Sequence, residues 1–143
     1  MANSIKKYKL NLSDDVLDEV SAIGIITAES ELQLCLELNK LASIQPAFDQ
    51  TIEITHRQQT LQVNLFRYLE EETEMQYILL KNKIQAGYFS KEYAQVDFLL
   101  LIYGEQYKQE SSRLLDRFKS SQLVQTCLLL EPQKLKNLKR IPF

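Results

Sequence analysis

A chain of 143 residues has the usual size of one domain and, buried to roughly 68–70% of its unfolded surface, needs neither disulfide nor metal to hold a core. Its 45% hydrophobic and 25% charged residues are those of a globular protein, and no apolar stretch approaches the ~20 residues of a membrane span. A net charge of −2 argues against nucleic acid as a partner, because phosphate binding needs clustered Lys and Arg.

The N-terminal stretch MANSIKKYKLNL has lysines but neither the apolar segment nor the cleavage site of a secretory signal. It reads as the start of a cytoplasmic protein, its lysines flanking a first strand. Val20 to Ile26 (VSAIGII) is β-branched and holds Gly24, which predicts a buried strand with a bulge or a close backbone approach. Ser30-Glu31-Leu32-Gln33 has the form of a capping box, so a helix should begin there. Leu34, Leu38, Leu41 and Ala42 form its stripe; Leu32, Cys35 and Leu36 widen it and predict packing on more than one side. Asn39 falls inside that widened arc, where a buried amide would bond to neighbouring backbone.

After Pro46 the period changes to two. Ile52 and Ile54, then Leu61, Val63 and Leu65, alternate with polar residues and predict two antiparallel strands joined near His56-Arg57-Gln58-Gln59. FRYLEEETEMQYILLKN follows as a second hairpin with a solvated acidic loop from Glu70 to Glu74, which lacks the glycine and the ligand spacing of a calcium loop. The run from Phe98 to Gly104 suits a central buried strand. Gln106 to Ser120 places Tyr107, Leu114, Leu115 and Phe118 at helical spacing, with Glu110 and Arg113 among the surface charges. Leu123 to Leu130 reads as a further short buried run, and Pro132 opens a last helical turn ending at Phe143. Lys134, Lys136, Lys139 and Arg140 form a solvated basic tail or, functionally, a dock for an acidic partner. Cys35 and Cys127 each lie in apolar runs and suit reduced core thiols.

The order of elements predicts one α+β domain over residues 1–143, with a largely antiparallel sheet of about six strands and two amphipathic helices packed on one face.

The stretch Ser90-Lys91-Glu92-Tyr93-Ala94-Gln95-Val96-Asp97-Phe98 resembles the signature of the bacterial IPExxxVDY family. Glu92, Val96 and Asp97 match; Phe98 stands where the family has tyrosine, and Ser90-Lys91 where it has Ile-Pro. Lesser likenesses lie at Gly24-Ile25, Leu38-Asn39-Lys40, Leu80-Lys81-Asn82-Lys83 and the Leu-rich C-terminus after Pro132. The resemblance implies a shared fold and a cytoplasmic bacterial setting, and implies no activity.

Asp97 is the informative member. On a strand that begins at Val96 it would point away from the face of Val96 and Phe98, where its carboxylate can accept N–H groups of the Gly87–Glu92 loop or pair with Lys81, Lys83 or Lys91. The alternative is a ligand-facing Glu92/Asp97 pair. Catalytic patterns are scarce: His56 is the one histidine, and the three glycines stand too far apart for a phosphate loop. If the protein is an enzyme, Glu92, Asp97 and His56 are its candidates. A non-enzymatic binding or assembly module needs no such set, no cofactor and no metal. Tyr88, Phe89 and Tyr93 beside the signature offer an interface, either for another protein or for a two-fold homodimer closed through this loop or a neighbouring strand edge.

Overall fold

The computed structural model describes residues 19–85 and 87–143, with only the backbone of His56. The strand expected beside the N-terminal lysines lies outside the described residues. The elements are β1 (Val20–Ile26), α1 (Glu31–Ala42), β2 (Ala47–His56), β3 (Gln59–Glu70), β4 (Met75–Lys81), β5 (Lys83–Ile84), β6 (Gly87–Tyr88), β7 (Phe98–Tyr103), α2 (Tyr107–Phe118) and β8 (Thr126–Leu130). Short 3-10 turns lie at Lys91–Tyr93, Pro132–Lys134 and Lys136–Arg140. Six strands form one sheet in the order β2-β3-β4-β7-β1-β8. Every neighbouring pair is antiparallel, and β5 and β6 make a separate ribbon. This is the expected α+β fold. None of the described helices is long and apolar enough to cross a membrane.

Both helices lie on one face. Ser30 caps α1 by accepting the Gln33 N–H at 3.2 Å, and Ser43 ends it in the left-handed region at φ 57°. Leu34, Cys35, Leu38 and Ala42 face the sheet. Leu32 and Leu36, expected to pack on a second side, are 66% and 63% exposed, and Asn39 is exposed with them. The helix rests on the outside of a sheet, so a single stripe is covered and the widened arc meets solvent. From α2, Arg113 and Arg117 donate to the Ala42 and Leu41 carbonyls at 3.5 and 2.6 Å, partners for the orphan acceptors at the end of α1.

The central strand is apolar throughout because both its faces are buried. Phe98, Leu100 and Ile102 enter the core beneath the helices, and Leu99 and Leu101 enter a second core on the opposite face. Phe89, Val96, Leu135, Leu138 and Ile141 close that second core. Irregular chain, the segment after β4 and the C-terminal turns, therefore does there what the helices do on the first face. The basic residues of the tail lie on its solvent side.

The first hairpin turns at Arg57 and Gln58, whose φ angles of 50° and 69° match the twist of the flanking strands. The acidic loop of the second hairpin is exposed, and its Glu72 N–H donates to Glu70 at 2.8 Å. The run Leu123 to Leu130 departs from expectation: β8 begins only at Thr126, lies at the sheet edge and leaves Leu129 57% exposed. Cys35 is buried, Cys127 half-buried, and both are free thiols.

Candidate functional site

Positions 78 and 80 of β4 point into the second core, and the same alternation carries Asn82 inward just past the strand's end. A buried amide there must find partners. Asn82 is 0% exposed and finds all of them in the signature loop. Its Oδ1 accepts the Ser90 N–H at 2.7 Å, and its Nδ2 donates to the Tyr93 and Val96 carbonyls at 2.9 and 3.0 Å. Its backbone N–H donates to the Asp97 carbonyl at 2.8 Å, and its carbonyl accepts the Phe89 N–H at 2.9 Å. Asn82, named in the sequence only as part of a flanking likeness, is the hub of the loop.

Asp97 works at the other side of the same seam. Its Oδ2 accepts the Thr27 N–H at 2.9 Å, and its Oδ1 lies 3.1 Å from Lys83 Nζ. Lys83 is one of the expected partners. The backbone donor is not from the Gly87–Glu92 loop, whose Phe89 and Ser90 N–H groups are taken by Asn82, but from the end of β1. The expected facing of Val96 with Phe98 is also corrected: Val96 enters the second core and Phe98 the first. Asp97 is a bend ahead of β7, so strand alternation does not run through it.

Glu92 takes a different set of partners. Its Oε1 accepts from Ser90 Oγ at 3.2 Å, and its Oε2 lies 3.3 Å from Lys136 Nζ. Partial desolvation pushes this carboxyl up, but a bond from its own backbone together with Lys136 and Ser90 outweighs it and holds the group below the ordinary carboxylate value. Glu92 lines an open cleft of ≈ 270 Å³ with Tyr88, Lys91 and Lys136 at its rim and Ile54, Leu61 and Gly87 among its walls. Asp97 does not line it, so the two signature carboxylates do not share a space. The side chain of His56 lies outside the described residues.

The three aromatic residues separate. Tyr88 is 37% exposed at the cleft. Tyr93 is half-buried, its hydroxyl accepting the Glu131 N–H at 3.1 Å. Phe89, expected at an interface, is 1% exposed: its ring fills the second core under β4 and β7. Its carbonyl accepts from Asn137 Nδ2 at 2.7 Å, which fastens the C-terminal turn to the loop.

A second polar cluster sits under the helices. Tyr77 Oη donates to Glu110 Oε1 at 2.6 Å, and Arg113 grips both carboxylate oxygens at 2.8 and 3.2 Å. Glu110 and Arg113 are therefore partly buried rather than surface charges; their spacing of three on one helix was the signal for the pair. Burial and then the Glu110 carboxylate push the Tyr77 phenol far up, so it stays a donor. Among the described residues no group of three or more His, Cys, Asp or Glu could hold a metal ion.

No protein-family model matches the chain, and no curated protein matches it.

Proposed function

We propose that this chain is a non-enzymatic binding or assembly protein of the bacterial cytoplasm, akin to the IPExxxVDY proteins, whose signature residues brace the fold. The observation that carries this reading is the pairing of both signature carboxylates within the chain: Asp97 with Thr27 and Lys83, Glu92 with Ser90 and Lys136. A general acid or base needs a lone pair or proton free for substrate, and a dyad needs its two members in one space. The kinship is supported by convergence. Gly24 touches Val96, Asn82 holds the loop from within, and Asn137 and Lys136 of the C-terminus bond to Phe89 and Glu92. Three of the four likenesses scattered along the sequence thus meet around one loop, while Leu38-Asn39-Lys40 lies on α1 across the sheet from it.

The second reading, a small-ligand site, is favoured by the open cleft and then involves Glu92 without Asp97. Melting temperatures of Asp97→Ala and Glu92→Gln separate the two. A bracing Asp97 leaves the Thr27 N–H without its acceptor when removed, and the variant should lose on the order of 1–2 kcal/mol. The exposed half of the Lys83 pair adds little. A carboxylate kept for a ligand is held at a cost to stability, so its removal leaves the melting temperature unchanged or raises it. An unchanged or raised melting temperature in Asp97→Ala overturns the bracing role.

A further inference from the structure

The segment Glu131–Phe143 covers the second core without joining the sheet. The ladder of β8 with β1 ends at Leu130. Beyond it the N–H groups of Lys134, Leu135, Leu138, Ile141 and Phe143 all donate to carbonyls two or three residues back. Among the described residues, no backbone-to-backbone hydrogen bond ties the segment to another element.

Side chains hold it instead. Leu135, Leu138 and Ile141 enter the second core. Three fastenings fall on the signature loop. Asn137 Nδ2 donates to the Phe89 carbonyl at 2.7 Å, Tyr93 Oη accepts the Glu131 N–H at 3.1 Å, and Lys136 Nζ lies 3.3 Å from Glu92. The last adds little, because its lysine is exposed. Two more fastenings fall on the sheet: Arg67 Nη2 donates to the Pro142 carbonyl at 2.7 Å, and the Phe143 ring lies 4.9 Å from that of Tyr103. Lifting the segment therefore breaks no rung of the sheet. It gives up a few buried side chains and these bonds and regains the conformational freedom of the whole segment, whereas unfolding the protein breaks every ladder of six strands.

We propose that Glu131–Phe143 is a strap that opens as one unit while the sheet stays folded. Opening bares the face that Leu99 and Leu101 present to the second core. It also carries away Lys136 and Asn137, which line the cleft beside Glu92. One motion thus gates an apolar face and a cleft, and releases the signature loop from one of its two supports; Asn82 is the other. The inference holds whichever way the melting temperatures fall for Asp97.

Native-state hydrogen exchange of the full chain in low urea tests it. The amides of Leu135, Leu138 and Ile141 are bonded within 3-10 turns too short to persist once undocked, so their protection reports docking. They should share one opening free energy and one urea dependence, both below those of Leu100 in the central strand. Ile23→Val separates the two openings. Ile23 lies in the core beneath the helices and keeps its contacts when the strap lifts, so Leu100 should exchange about fivefold faster while the strap amides are unchanged. Strap amides that follow Leu100 in urea and in Ile23→Val overturn the proposal, because the segment then opens only with the sheet. A tie between the strap and residues 1–18, which lie outside the described residues, would give this result. Strap amides that exchange at unrelated free energies without urea dependence overturn it as well, since they report the fraying of single turns.

Discussion

Gly24 lies against Val96 with no room for a methyl group between them: a Cβ on Gly24 would stand 2.8 Å from Val96 Cγ2 and 3.2 Å from both Leu130 methyls. Neither neighbour can step aside, since Val96 is stiff at χ1 and fully buried and Leu130 is held on β8. The regular pairing of β1 on both sides shows that the glycine serves this close approach rather than a bulge. Gly24→Ala should cost about 1–3 kcal/mol through overpacking, read from urea unfolding. The double variant with Val96→Ala should cost less than the sum of the two single ones, because each change makes room for the other. Strict additivity would mean that the two residues do not compete for space.

Asn82 gives a sharper case, because its side chain serves three backbone groups at once. Asn82→Ala strips the Ser90 N–H and the Tyr93 and Val96 carbonyls of their partner in a buried seam. The expected loss is about 2–4 kcal/mol, more than one ordinary hydrogen bond, since each deserted group carries a desolvation cost. Amide hydrogen exchange at Ser90 should quicken far more than at Leu100 in the central strand. Equal protection at Ser90 in both proteins would show that the loop holds its shape without the amide.

Much of this was legible in the sequence wherever one period ran long enough. VSAIGII, the two hairpins and the Ser30 cap each stand where alternation or capping chemistry places them. Hydropathy fails at Leu129, Leu32 and Leu36, because an apolar side chain at an edge reads like one in a core. It also fails at the second-face cover, where Leu135 and Leu138 sit in turns too short to show a period. For Asp97, Lys83 was within reach of a local argument. Thr27, 70 residues away, was not, because only the pairing of β1 with β7 brings it there.

Glu110 ties its helix to the sheet through Tyr77 and should make stability depend on pH. Desolvation pushes its carboxyl up, yet the Arg113 and Tyr77 hydrogen bonds and the guanidinium charge outweigh this and hold it below its ordinary value of 4.5. A carboxyl depressed in the folded state contributes stability that is complete above the unfolded value and lost as pH falls through the folded one. Glu110→Gln should therefore be less stable than wild type by about 1–2 kcal/mol at neutral pH, since a charge-assisted pair becomes a neutral one. The gap should stay constant while the pH remains well above 4.5 and close as the pH falls below it. Asp49 and Glu92, also held low, are present in both proteins, so their contributions cancel in the difference. Urea unfolding of the two proteins across the acid range measures the gap directly. A gap that persists unchanged below the ordinary carboxylate value would mean that Glu110 acts by shape, and that Arg113 does not hold its charge.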